Sequence, residues 1–285
     1  MRSLKRVLGT LKEARARSKE EVLRSDDNRF RSERELLTGE LCRHLQDVSI
    51  NAILLEPKSP EAFRNPYYVL GDVKIEGRNI DAILVQWSAG DFEKSDSHYR
   101  YFYVVRASLD GLESKLKADF KSNWHDRCSQ KPNFYQFDKT LMDKELSNSY
   151  WEGKELAQLL NNDPELTQKL YNEGLDCLTV RPDKGDQCVR IEHSHWTLYL
   201  SDGEVHIRTG SVGRKQFPSR GTFEAYEEIA YAIRRVILTS SQKSSLTLEY
   251  PLILHCPKCG IELTIEADLC LQCGKNLPHP TTISK

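Results

Sequence analysis

The tail of the chain, HCPKCGIELTIEADLCLQCGKNLP, holds four cysteines in two pairs, Cys256 with Cys259 and Cys270 with Cys273. In each pair two residues separate the thiols and a glycine follows, Gly260 or Gly274. Such a step lets the chain turn back sharply, so that both sulfurs point at one centre and backbone amides approach them. Two such turns complete a tetrahedron. The soft thiolate set favours zinc in a closed, structural site, because no coordination position is left for water or substrate. Two disulfides and an iron–sulfur site are the competing readings, and a chain that opens with no secretory segment argues against the disulfides. The stretch 260–269 between the pairs is too short for a globular insertion and long enough for one short ribbon.

At 285 residues the chain can hold two ordinary domains besides that ribbon. Lys and Arg number 41 against 42 Asp and Glu, for a formal net charge of -1. That balance argues against a surface devoted as a whole to nucleic acid or membrane, so any such contact must come from a local patch. The sequence offers no apolar run long enough to span a bilayer and no signal peptide, and a cytoplasmic location is expected. Cys42, Cys128, Cys177 and Cys188 lack metal-ligand spacing and read as buried thiols in a reducing compartment.

Residues 1–24 place Leu4, Val7, Leu8, Leu11, Ala14, Val22 and Leu23 at helical spacing among eight Lys or Arg and three Glu, a local net of +5. The plainest reading of this basic amphipathic helix is a solvated helix docked by one stripe. A first α+β unit over 25–121 is expected to open with a helix from about Phe30 to Asp47, on the recurrence of Leu37, Leu41, Leu45 and Val48. INAILLEP, then YYVLGDVKIEGRNIDAILVQW folded about a turn at Glu76–Asn79, then HYRYFYVVRASL, read as strands, and Leu109–Lys121 as a return to helix. Residues 122–149 read as a linking excursion. A second α+β unit over 150–240 is expected to begin with two short helices separated at Asp163-Pro164, an N-cap before a first-turn proline. It continues with strands near 175–181 and 189–192 and a hairpin, WTLYLSDGEVHIRT, turning on Asp202 and Gly203, and closes with a helix from about Thr222 to Leu238. A linker over 241–250 leads into the ribbon over 251–280. The expected class is α+β: two mixed units with small sheets flanked by helices, plus the ribbon.

Pro257, Gly260, Gly274 and Leu277 stand where short zinc ribbons place them, in the pattern Cys-Pro-x-Cys-Gly, spacer, Cys-x-x-Cys-Gly-x-x-Leu, and residues 256–277 resemble that family. The resemblance implies a binding or stabilising module and names no ligand. Residues 30–121 resemble nuclease-related (NERD-type) domains of the restriction-endonuclease-like fold, through Gly39-Glu40 on a helix, VLGDVKI on a strand, NIDAILV carrying Asp81, and the strand YFYVV. In that fold carboxylates hold a divalent ion, with a Glu and a Lys on the third strand. Here that strand ends Val105, Arg106, Ala107, Ser108, so neither residue is present, and an Arg puts positive charge where the cation should sit. The resemblance therefore implies a copy without catalysis. A second register, with Glu56 as ligand and Asp72-Val73-Lys74 as an acid-x-lysine step, is matched as well by a half-buried strand with one wet face.

The loop GSVGRKQFPSRG sets Arg214, Lys215 and Arg220 among glycines before a helix start, with Arg208 projecting from the neighbouring hairpin. Helix N-termini beside cations attract phosphate, which makes this the candidate anion or nucleic-acid contact. The histidines His193, His195 and His206 are too far apart on the hairpin strands to share an ion. The reading that results is a zinc-ribbon protein acting as a non-enzymatic binding or scaffold module with a protein partner. The alternative is a nuclease-related protein that binds or cleaves nucleic acid with a divalent metal.

Overall fold

A computed structural model of the chain describes residues 38–55, 67–89, 97–121, 149–173, 177–183, 188–193, 196–201, 204–209, 217–244 and 252–278. The basic segment 1–24, Glu56, Arg214, Lys215, residues 122–148 of the linking excursion and residues 245–250 of the expected linker lie outside them.

The chain is mixed α+β. Helix α1 occupies 38–47, followed by strands β1 (Ala52–Leu54), β2 (Tyr67–Ile75), β3 (Ala82–Ala89) and β4 (Ser97–Arg106). A single helical turn, α2 (Glu113–Leu116), leads to β5 (Ala118–Lys121). Then come β6 (Tyr150–Gly153), α3 (Glu155–Asn161), α4 (Pro164–Asn172), β7 (Cys177–Asp183), β8 (Cys188–His193), the pair β9 (Trp196–Ser201) and β10 (Glu204–Thr209), and a long helix α5 (Arg220–Ser244). The ribbon carries β11 (Leu254–His255) and β12 (Glu262–Leu263). Among the described residues, no helix is long and apolar enough to cross a membrane.

Eight strands form one antiparallel sheet in the order β1-β2-β3-β4-β8-β7-β5-β6. This differs from two small sheets. The alternation in 177–193 shows that its strands have a buried face, but alternation does not say which edge they join. They join the free edge of β4, with Phe102 opposite Glu192 and Val104 opposite Arg190. The register then aligns Val73, Ile83, Tyr103, Ile191, Val180 and Ala118 in one row across six strands, all buried. Helix α5 lies against this face with Phe223, Tyr226, Ile229 and Ile233, and the rings of Tyr103 and Tyr226 sit 4.0 Å apart. Leu41 and Leu45 of α1 and Leu156, Leu159 and Leu160 of α3 complete the core.

The expected helix over 109–121 is corrected to one turn and a strand. Leu109, Leu112 and Leu116 do keep a helical period and are buried, but Lys117 turns extended and Phe120 is buried from β5, opposite Leu178 and Trp151. WEGK likewise begins as strand β6, whose pairing with β5 outweighs the local helical pattern. The hairpin register is as expected, with Val205 opposite Leu200 and His206 opposite Tyr199. Asp163 caps α4, accepting the Leu166 amide at 2.9 Å. Helix α5 runs on to Ser244 past its expected end at Leu238. Ser240 and Ser241 are buried, and the Ser241 hydroxyl donates back to the Ile237 carbonyl, so the serines do not end the helix.

Candidate metal centre

The two cysteine turns are built alike. In the first, the Gly260 amide donates to the Cys256 carbonyl at 2.8 Å and the Cys256 amide to the Ile261 carbonyl at 2.7 Å. In the second, the Gly274 amide donates to the Cys270 carbonyl at 2.8 Å and the Cys270 amide to the Lys275 carbonyl at 2.9 Å. Both glycines are left-handed, with φ of 76° and 69°, a conformation that a side chain would strain and that closes each turn under its sulfurs. Amides of Lys258 and Cys259 donate to the Cys256 sulfur, and amides of Gln272 and Cys273 to the Cys270 sulfur.

The turns bring the four sulfurs within 4.8 Å of one another. Cys256 lies 3.5 Å from Cys273 and Cys259 lies 3.6 Å from Cys270. A tetrahedral ion with metal–sulfur bonds of ~2.3 Å needs sulfur–sulfur edges of ~3.8 Å, so the cage fits a four-coordinate metal with a small adjustment. Burial pushes the Cys256 thiol up to about 12. Burial also acts against ionisation at Cys270, but donation by the Cys273 amide, the Cys256 thiol, the Gln272 amide and the Cys259 thiol holds it down to about 7. A cation at the centre supplies the charge that lets the whole set ionise. Among the described residues, these thiols are the only group of three or more His, Cys, Asp or Glu side chains close enough to share an ion.

The ribbon is fixed to the body through polar groups that composition alone does not reveal. Its inner face packs Leu254 and Leu277 on Tyr231, with Leu238 of α5 alongside. Glu227, fully buried on α5, accepts the amides of Asn79 and Ile80 and the Asn79 side chain at 2.9–3.0 Å. Asn79, in the β2–β3 turn, also pairs with β11 like a further strand residue. Its Nδ2 donates to the His255 carbonyl at 2.8 Å, and its Oδ1 accepts the His255 amide at 3.0 Å. Arg234 donates to the carbonyls of Asn79 and Ile253 and to Asp81, each at 2.8 Å. Arg235 donates to the carbonyls of Pro278 at 2.7 Å and Ile265 at 3.3 Å, and Lys275 pairs with Glu165 and Glu228. The sequence carries no signal for these residues. Glu227, Glu228, Arg234 and Arg235 fall on one side of α5, opposite the stripe of Tyr226, Ile229 and Ile233, as they would on a helix with a wet face, and it is the docked ribbon and the β2–β3 turn that bury them.

Among the described residues, Glu40, Asp72 and Asp81 belong to no group of three or more side chains close enough to share an ion. Asp81 is engaged by Arg234 on one oxygen and by the Arg106 amide at 2.7 Å on the other. Asp72 on β2 faces the Arg106 guanidinium at 3.5 Å, Lys74 pairs with Glu76 at 2.7 Å, and Glu40 sits half-buried on α1. The Arg106 that the sequence places beside Asp81 thus meets these acids through both its backbone and its side chain.

At the proposed anion contact, the start of α5 is already filled by Glu173. That carboxylate accepts the hydroxyls of Ser219 and Thr222 and packs against Gly221 so closely that a methyl there would collide with it. Arg220 is exposed and pairs with Glu224 at 3.0 Å, and Arg208 lies on β10 opposite Thr197. The arrangement of the four cysteines is compatible with a zinc-ribbon-like site. Neither a protein-family model, nor a curated protein, nor a solved structure matches the chain.

Proposed function

We propose that this chain is a non-enzymatic, cytoplasmic binding protein whose C-terminal ribbon holds one zinc ion through Cys256, Cys259, Cys270 and Cys273 and presents a surface to a protein partner. The observation that carries the reading is the closed cage of four sulfurs within 4.8 Å on a ribbon locked to α5 and the β2–β3 turn. Four thiolates leave a metal no open position for a substrate, which supports a structural role. The bound ion cross-links two turns that bury too little apolar surface to fold unaided. The locking of the ribbon by Asn79, Arg234 and Arg235 supports a fixed presenting surface over a freely tethered module.

The test is elemental analysis of the purified full-length chain, followed by affinity capture with and without nuclease treatment. Close to one zinc per chain is expected, together with a protein partner that survives nuclease and is lost on chelation. Absence of zinc would remove the metal from the reading. A partner that disappears with nuclease would transfer the function to nucleic acid.

A further inference from the structure

The four thiols of the cage are not equivalent. Cys256 and Cys270 are fully buried, Cys273 is half-buried and Cys259 is exposed. Amide donation is uneven as well: two amides serve the sulfur of Cys256 and two that of Cys270, while the amide donor to Cys259 is that of Ile261. Each amide draws charge from a thiolate, so a solvent-facing sulfur with less donation is the better nucleophile toward a soluble electrophile. The thiol 3.6 Å from Cys259 belongs to the other turn, that of Cys270.

We propose that Cys259 is an oxidative modification site for hydroperoxides, resolved by Cys270 as a disulfide that joins the two turns and expels the metal. The inference rests on the metal centre proposed above. In the first step the Cys259 thiolate attacks the terminal oxygen of ROOH. The O–O bond breaks, a sulfenic acid forms on Cys259, and the alkoxide leaves and takes a proton from water. In the second step the Cys270 thiolate attacks the Cys259 sulfur, the S–O bond breaks, and hydroxide leaves. The two sulfurs together lose two electrons and the peroxide gains two. Cys256 and Cys273 alone would then remain to hold a metal, two ligands where a closed site needs four. The Cys256–Cys273 pair is as close, at 3.5 Å, but its outer thiol, Cys273, is half-buried, so the peroxide reaches the exposed Cys259 first.

The bonds that dock the ribbon go through Asn79, Arg234, Arg235 and Lys275 and use no sulfur. Metal loss by this route therefore leaves the sheet and α5 folded, and the change is confined to the outward side of the ribbon.

The experiment treats the zinc-loaded full-length chain with hydrogen peroxide. It follows zinc release with a chromogenic chelator and maps disulfides by mass spectrometry without reduction. Cleavage after Lys258 and after Glu266 places Cys256, Cys259 and the Cys270–Cys273 turn on separate peptides, and fragmentation between Leu271 and Gln272 separates the last two. One Cys259–Cys270 disulfide per zinc released is expected, reversed by dithiothreitol and added zinc. Cys259→His keeps a metal ligand while removing the thiol, and should slow release at least about tenfold. If that variant holds no zinc, the wild-type disulfide map decides alone. A chain that contains no zinc before treatment overturns the metal reading itself. A chain that contains zinc but yields a Cys256–Cys259 or Cys256–Cys273 disulfide, or releases zinc with no disulfide, overturns only the assignment of Cys259.

Discussion

Asn79 and Glu227 are joined by two hydrogen bonds to one carboxylate oxygen, from the Asn79 amide and from its Nδ2, both at 3.0 Å. Because the same Nδ2 also donates to the His255 carbonyl, this single side chain links helix α5, the β2–β3 turn and the first strand of the ribbon. Asn79→Ala removes both side-chain donations and the acceptor of the His255 amide, leaving buried groups unpaired. A loss of about 2–3 kcal/mol is expected in urea unfolding of the zinc-loaded chain, with zinc content unchanged. A loss below about 0.5 kcal/mol would mean that the ribbon is held by Arg234, Arg235, Lys275 and its apolar contacts without help from Asn79.

Glu227 also carries a pH dependence. Burial raises its pKa above the usual carboxylate value, and the amides of Asn79 and Ile80 only partly offset this. The folded chain therefore holds a proton at Glu227 over a pH range in which the unfolded chain has released it. Stability from this group is complete below the unfolded carboxylate value of ~4.3 and is lost as pH rises through the folded value. Subtracting the unfolding free energy of Glu227→Gln from that of the wild type at each pH cancels the contribution of the metal. The difference should fall as pH rises from ~4.3 and then level off. A difference that grows with pH would contradict the assignment.

Much of this architecture was legible from pattern. The cysteine spacing identified the cage because the geometry is local, with each turn closing over five residues. The Asp163-Pro164 break and the register of β9 against β10 were legible for the same reason. The joining of β8 to β4 was not, because strand alternation is satisfied equally by any partner that covers one face. Strand β5 was hidden because Leu109, Leu112, Leu116 and Phe120 keep a helical period that the sheet overrides after Leu116. Asn79 gave no signal at all, since an asparagine in a tight turn is fully explained by the turn.

Asp81 and Arg234 form an ion pair at 2.8 Å. The Arg234 side chain is 5% exposed, so Asp81→Ala leaves a buried guanidinium without its counter-charge, at a cost of about 3 kcal/mol. In a double-mutant cycle with Arg234→Met the two changes should be non-additive by at least about 1 kcal/mol. Manganese titration followed by electron paramagnetic resonance should show no ion bound at Asp81 in the wild type. Binding that is lost in Asp81→Ala would restore the nuclease reading.

Chelation should act locally. The ribbon amides of Cys256, Gly260, Cys270 and Gly274 bond only within their own turns, and those turns lose their shape when the sulfurs separate. The row through Ile83, Tyr103 and Ile191 lies in the main core and does not touch the cage. Hydrogen exchange after removal of the metal should therefore expose the turn amides and leave the sheet protected. Sheet and turns exchanging together would show that one cooperative unit includes both.

The start of helix α5 offers a test of whether this chain reserves a site for phosphate. A helix N-terminus stabilises an anion, and here Glu173 supplies one from inside the fold, seated on Ser219, Thr222 and the bare backbone of Gly221. With that carboxylate in place a phosphate has neither the room nor the free hydroxyls, so inorganic phosphate should leave the wild-type melting temperature where the same ionic strength of chloride puts it. Glu173→Ala removes the internal anion and should cost about 1 kcal/mol in chloride. It also opens the position, so phosphate should recover part of that loss in the variant and nothing in the wild type. A phosphate-specific rise in the wild type would place the anion elsewhere on the basic loop, at Arg214 and Lys215. A variant that loses stability without responding to phosphate would mean that Glu173 acts through its contacts with Ser219 and Thr222 and not through the field of the helix.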